Sequence, residues 1–276
     1  MTIKNKLIVA LSATMLLAAC GTNEEQAVKK PVEQQQEEVK VDVSQQAESY
    51  QQYVVAQMAD FVMDTELLAN HVKEGKLEEA QKLFPLVTMY YERLQPLTGH
   101  FTELDTKLNG AIIEGKEQEG TGFQRLAYGL FKEQKTAGYE DVAMELLENV
   151  TKLQTELPNL DVSSNAILAS TTAMLEKMVN ERLATTSYAN NEVYAVKAQT
   201  EVVEQLVEIF KQRATAESIA ATTEKIMQLN ELLAYYEVGK EDYVNYSFFT
   251  NKQKEELKAA VMEVQQALQR MNETVK

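Results

Sequence analysis

A chain of 276 residues with 45% apolar content is long enough to bury one large core or two small ones, and its ten glycines and four prolines fall well below the roughly 12% of average usage. Few turns means long helices, which excludes collagenous, disulfide-rich and wholly disordered chains. A formal charge of -15 repels phosphate backbones, so nucleic acid is no partner; one cysteine and two histidines cannot build a zinc-finger site.

Lys4 and Lys6 precede an apolar run from Leu7 to Ala19. That run is shorter than the roughly 20 residues of a spanning helix, but it fits a signal-peptide core. It ends Leu17-Ala18-Ala19-Cys20-Gly21, a small-residue cleavage site followed directly by the only cysteine, which resembles a bacterial lipobox. Residues 1–19 are therefore expected to be a lipoprotein signal peptide. Cys20 is expected to be lipidated, holding the chain at the extracytoplasmic face of the cell membrane. Residues 20–49 are rich in Gln, Glu, Lys and Val, with no aromatic residue before Tyr50. They read as a solvated tether.

From Tyr50 to the C-terminus, residues 50–276, the apolar spacing is that of amphipathic helices. Helices are expected near 47–74, 77–104, 122–135, 163–184 and 215–237. Leu146, Val150, Leu153 and Leu157 form one more stripe, closed by Pro158, and Val203, Leu206, Val207 and Phe210 form another. In the last segment Leu257, Val261, Val264, Leu268 and Met271 share a face, and Thr250 with Gln253 makes a capping box at its start. No alternating β-branched run competes. Breaks such as Gly75, Gly138 and Gly239 between the helices predict an all-α fold of two antiparallel four-helix bundles. Tyr90, Tyr91, Tyr235 and Tyr236 fall at helical spacing and are expected to pack.

The longest stretch expected to be irregular runs from Thr102 to Thr121 and carries Glu103, Asp105, Glu114, Glu117 and Glu119. Its acids offer hard oxygen donors for a cation or, more simply, a solvated loop. His71 and Glu74 lie one turn apart at a helix end, and His100 stands alone beside Phe101. No serine or cysteine has a recognisable base and no glycine loop matches a phosphate cradle, so the chain is not expected to be an enzyme.

Several segments, in order, resemble the EfeO/EfeM family of imelysin-like lipoproteins. Tyr91-Glu-Arg-Leu-Gln-Pro96 with Phe101-Thr-Glu-Leu-Asp105 is similar to the family's second helix, and Thr121-Gly-Phe-Gln-Arg-Leu126 to its Thr-Gly-Phe-His-Arg-Ile stretch. Glu176 to Leu183, Tyr188, Glu192-Val-Tyr194, Ala198 and Glu201 track its long later segment. The resemblance implies an imelysin-like fold without a cupredoxin domain. It also implies a non-catalytic binding role in an Efe-type iron uptake system, beside a permease and a peroxidase-like partner. The family's metal-binding histidine and glutamate fall at Gln124 and Ala127, and a further glutamate at Gln95, while Glu92 and Asp105 persist. Glu92 and Asp105 are thus the remaining candidate iron ligands. The alternative is a helical interaction or glycan-binding lipoprotein that has lost its metal.

Overall fold

A computed structural model describes residues 44–185, 187–240 and 242–276. The expected signal peptide, Cys20 and the tether up to residue 43 lie outside the described residues. The described part is all-α apart from one short hairpin, as the apolar periodicity requires.

The helices are α1 Ser44–Val55, α2 Met58–Lys73, α3 Leu77–Leu94, α4 Thr102–Asn109, α5 Gly122–Ala127, α6 Glu140–Glu156, α7 Ser164–Lys177, α8 Glu192–Phe210, α9 Ala216–Tyr235 and α10 Asn251–Glu273. Strands β1 Glu237–Gly239 and β2 Asp242–Tyr243 pair antiparallel between α9 and α10. In the first bundle α2 packs on α3 and α6, α5 packs on α6, and α4 covers α5 and α6. In the second, α7 packs on α8 and α10, and α9 lies between α8 and α10. Short connections fold consecutive helices back on one another, as expected of antiparallel bundles. The two bundles share a core through α3 against α8, with the 3-10 turn Gln95–His100 against α7 and α1 against α7 and α8.

The predicted stripes are the buried ones. Leu257, Val261, Val264, Leu268 and Met271 are all enclosed, as are Leu146, Val150, Leu153 and Leu157. The capping box at α10 forms in both directions: Gln253 N donates to Thr250 Oγ1 at 3.3 Å, and Thr250 N donates to Gln253 Oε1 at 2.9 Å. Tyr91 and Tyr236 pack as expected and Tyr90 partly so, but Tyr235 is exposed.

Several boundaries differ from the periodicity. The first helix begins at Ser44, inside the stretch read as tether, because Ala47 and Tyr50 already face the core and Tyr50 Oη donates to Arg93 O at 2.8 Å. The expected 47–74 helix breaks at Ala56–Gln57 into α1 and α2. The expected 77–104 helix stops at Leu94, where Pro96 enforces a 3-10 turn. The acidic stretch from Thr102 is not all irregular: Leu104 and Leu108, one turn apart and both buried, fold 102–109 into α4. Two helix ends widen into π turns, Tyr128–Lys132 after α5 and Met178–Arg182 after α7. Among the described residues no helix is long and apolar enough to cross a membrane.

The remaining loop, 110–121, is pinned where α5 begins. Gly122 has φ of +51° and lies so close to α4 that a Cβ would sit 1.9 Å from Leu108 O. Only glycine fits. Gly122→Ala is therefore expected to destabilise by about 3 kcal/mol, since left-handed strain costs about 1–2 kcal/mol and a backbone collision adds to it. Gly75→Ala has open space around its Cβ at φ of +75° and should lose only the strain. Urea midpoints of the two variants test the difference.

Candidate functional site

A cleft of about 630 Å³ opens where the bundles meet. Its walls come from α3 (Tyr91, Glu92), α4 (Asp105, Asn109), α5 (Phe123, Gln124, Ala127), the π turn after α7 (Glu181, Arg182) and α8 (Glu192, Gln199). The fold thus gathers the positions that the resemblance marked for metal. Glu92, Asp105, Gln124 and Ala127 are scattered over 36 residues of chain and line one space.

Glu92 sits on the inner face of α3 and is 4% exposed. A carboxylate so enclosed requires compensation. Arg182 Nη1 forms an ion pair with Glu92 Oε1, and Gln199 Nε2 donates to Glu92 Oε2 at 2.8 Å. Both oxygens are occupied and the charge is matched from within. No local pattern signals this pairing, because Arg182 lies 90 residues away and reaches the cleft from a π turn, a local geometry that often marks functional sites.

Asp105 projects from α4 and accepts a hydrogen bond from Tyr91 Oη at 2.5 Å. Burial pushes its carboxyl up from the usual range, against the lowering effects of that bond and of Lys177. Burial of the ring, with the same contact adding to it, holds the Tyr91 phenol well above its ordinary value. Gln124 Nε2 donates to Asn109 Oδ1 at 3.0 Å, so the amide ties α5 to α4. Ala127 brings no donor to the wall. Phe123 packs tilted against Tyr91, ring centroids 5.6 Å apart, and meets Phe84 edge-on at 6.0 Å.

Three of the other acids flagged in the 102–121 stretch are engaged locally. Glu103 pairs with Lys107 at 2.9 Å, Glu119 with Lys116 at 3.0 Å, and Glu117 Oε1 accepts from Gly115 N at 2.9 Å. Glu74 pairs with Lys76 at 2.6 Å instead of joining His71, and His100 is exposed. Among the described residues no group of three His, Cys, Asp or Glu side chains stands where it could hold a metal ion. With Glu92 neutralised by Arg182, the donors present do not fit a bare ion.

The fold and cleft define a class: among the described residues, an all-α double bundle with a large polar cleft built from both halves. No family model matches the chain. It is 25% identical over 277 residues to an Efem/EfeO family lipoprotein of Staphylococcus haemolyticus (strain JCSC1435), spanning 95% of this chain and 96% of that protein. Two proteins of the same name, from Staphylococcus aureus strains MRSA252 and NCTC 8325 / PS 47, are 24% identical over 249 residues, with 84% of this chain and 86% of each relative covered. The chain is a relative of the EfeM/EfeO lipoproteins, as the resemblance implied, and its all-α fold accords with the imelysin-like expectation.

Two predictions follow from the geometry of the acids. Glu92→Ala strips Arg182 of its ion-pair partner and leaves only the charge of Glu192 to answer it. It should cost about 2 kcal/mol, less than the roughly 3–5 kcal/mol of a fully buried pair because Arg182 keeps some solvent. Glu92→Leu combined with Arg182→Met should recover most of that loss in chemical denaturation.

Asp105 has a raised carboxyl, so its ionised form opposes folding at neutral pH and the penalty fades as pH falls. Asp105→Asn keeps an acceptor for Tyr91. It should raise the thermal midpoint by about 2 °C at pH 7.5, the gain vanishing below about pH 4.

Proposed function

We propose that this chain is a lipid-anchored binding component of an Efe-type iron uptake system. Cys20 carries the anchor at the extracytoplasmic face of the cell membrane, and the helical body works without turnover beside a permease and a peroxidase-like partner. The relatives named Efem/EfeO family lipoprotein support the setting. The observation that carries the site is the convergence of Glu92, Asp105, Gln124 and Ala127 on one cleft from three different helices.

Iron is the cargo in this reading, and the cleft shapes the form in which it arrives. Arg182 holds Glu92, and about 630 Å³ far exceeds the room a single ion needs. We therefore take the cargo to be ferric iron within a small chelate, with Asp105 as the carboxylate placed to meet it from the first bundle.

Calorimetric titration of the full-length protein in detergent with ferric nitrilotriacetate tests this. Micromolar binding weakened at least tenfold by Asp105→Ala is expected, with His71→Ala unchanged. Absence of any saturable heat from a protein with an intact helical circular-dichroism spectrum would overturn the iron reading.

A further inference from the structure

The three most exposed large apolar side chains among the described residues are Phe248 at 79%, Tyr235 at 78% and Val238 at 64%. All three stand on one tip, the connection between α9 and α10. Single exposed apolar residues are ordinary on a folded surface, but the three leading ones gathered within residues 235–248 make a patch, and patches mark contacts. Their exposure is built in. Tyr246 Oη donates to Leu183 O at 2.9 Å and Tyr246 N to Asn190 O at 3.0 Å, while Tyr194 Oη donates to Asp242 Oδ1 at 2.5 Å and accepts from Tyr243 N at 3.2 Å. Beneath the patch the rings of Tyr236 and Phe249 lie 4.2 Å apart, and Tyr235 meets Tyr236 edge-on at 5.4 Å. The tip thus presents its apolar side chains from a fastened base.

Its charge differs from that of the chain. Residues 235–254 carry three acids, Glu237, Glu241 and Asp242, and three lysines, Lys240, Lys252 and Lys254, a net of zero in a chain of -15. Anionic headgroups repel the body as a whole but not this tip. The Lys252 side chain is 87% exposed, and Lys254 Nζ lies 4.8 Å over the Tyr246 ring, so long cationic side chains border the apolar ones. Aromatic rings beside lysines suit a membrane–water interface, where rings sit at headgroup level and lysine stems reach back to water.

The bilayer is within reach. With Cys20 lipidated, 24 residues lead from the anchor to Ser44, where α1 begins. Fully extended they span about 80 Å, against roughly 35 Å for α10, the longest helix. The membrane is then a permanent neighbour at high effective concentration, so a weak contact is enough to seat the tip.

We propose that the α9–α10 tip docks on the lipid bilayer that carries the anchor, with Phe248, Tyr235 and Val238 entering the boundary between headgroups and acyl chains. This rests on the lipid-anchor reading of Cys20 and not on the iron reading. Docking also orients the cleft. Tyr188, Ala189 and Asn191 line it, and Asn190 holds the tip through Tyr246, so that wall is kept beside the membrane surface.

The chain has no tryptophan, so one substitution gives a single reporter. Full-length lipidated protein carrying Phe248→Trp, Tyr235→Trp or Met63→Trp, the last an exposed control on α2, is reconstituted into phosphatidylglycerol/phosphatidylcholine vesicles with plain or acyl-brominated chains. Bromolipid is expected to quench both tip reporters at least twofold and to leave Met63→Trp unchanged. Adding Phe248→Asp should abolish the quenching of Tyr235→Trp. The proposal is overturned if the tip reporters are quenched no more than Met63→Trp, if Phe248→Asp has no effect, or if the tip reporters respond only in membranes that contain other proteins, which would make the occupant a protein. Flotation of the same samples reads the anchor separately. Protein that floats with silent tip reporters removes this proposal alone, and protein that does not float removes the anchor reading and this one with it.

Discussion

The enclosed carboxylate of Glu92 is the constraint around which the two bundles are set. An ionised group at 4% exposure between packed helices is tolerated only with a matched charge and hydrogen bonds on both oxygens. Arg182 and Gln199 supply these from the far side of the junction, so α3 cannot slide against the π turn after α7 or against α8 without orphaning a charge. The next residue repeats the link. Arg93 Nε and Nη2 reach Glu201 Oε2 at 2.8 and 2.7 Å, and Arg93 O accepts from Tyr50 in α1. Successive residues of α3 thus dock on α8, and the polar geometry does for orientation what the apolar core alone would leave loose.

The opposite wall is held by closeness, not charge. Gly122 lets α5 start against the carbonyl of Leu108, and Thr121 Oγ1 accepts from Gly110 N at 3.1 Å while donating to Thr106 O at 2.5 Å. These contacts bring α4 and α5 side by side, which is why Asp105, Asn109 and Gln124 share one face of the cleft. From within α5, Arg125 lies 4.6 Å over the ring of Tyr139 and donates from Nη2 to Gln118 Oε1 at 2.6 Å, tying loop 110–121 to the first bundle. The loop's order comes from this cation and the glycine, and Glu117 and Glu119 are spent on nearby partners.

Much of the fold was legible because helix periodicity is a local signal. The stripes on α6, α8 and α10 and the capping box at Thr250 each depend on residues within two turns of one another. What escaped the sequence depended on distance in the chain. The breaks at Ala56–Gln57 and Leu94 are set by which face meets which bundle, and α4 emerged from a stretch whose acids outnumber its two core leucines. The site was half legible. Glu92 and Asp105 could be marked by resemblance, and they do share a cleft. That Glu92 is already answered could not be read, because its partners lie 90 and 107 residues away and Arg182 looks like any exposed helix-end base.

The residues at the positions that the resemblance marked for metal and the internal ion pair point the same way. A neutral amide at Gln124 bonds to Asn109, and a methyl at Ala127 contributes space where a longer acid would contribute charge. On the facing wall, Arg182 withdraws Glu92 from any ligand. Each change alone would weaken coordination of a bare ion. Together they turn a place for a point charge into a larger polar volume, which suits a ligand with extent and shape.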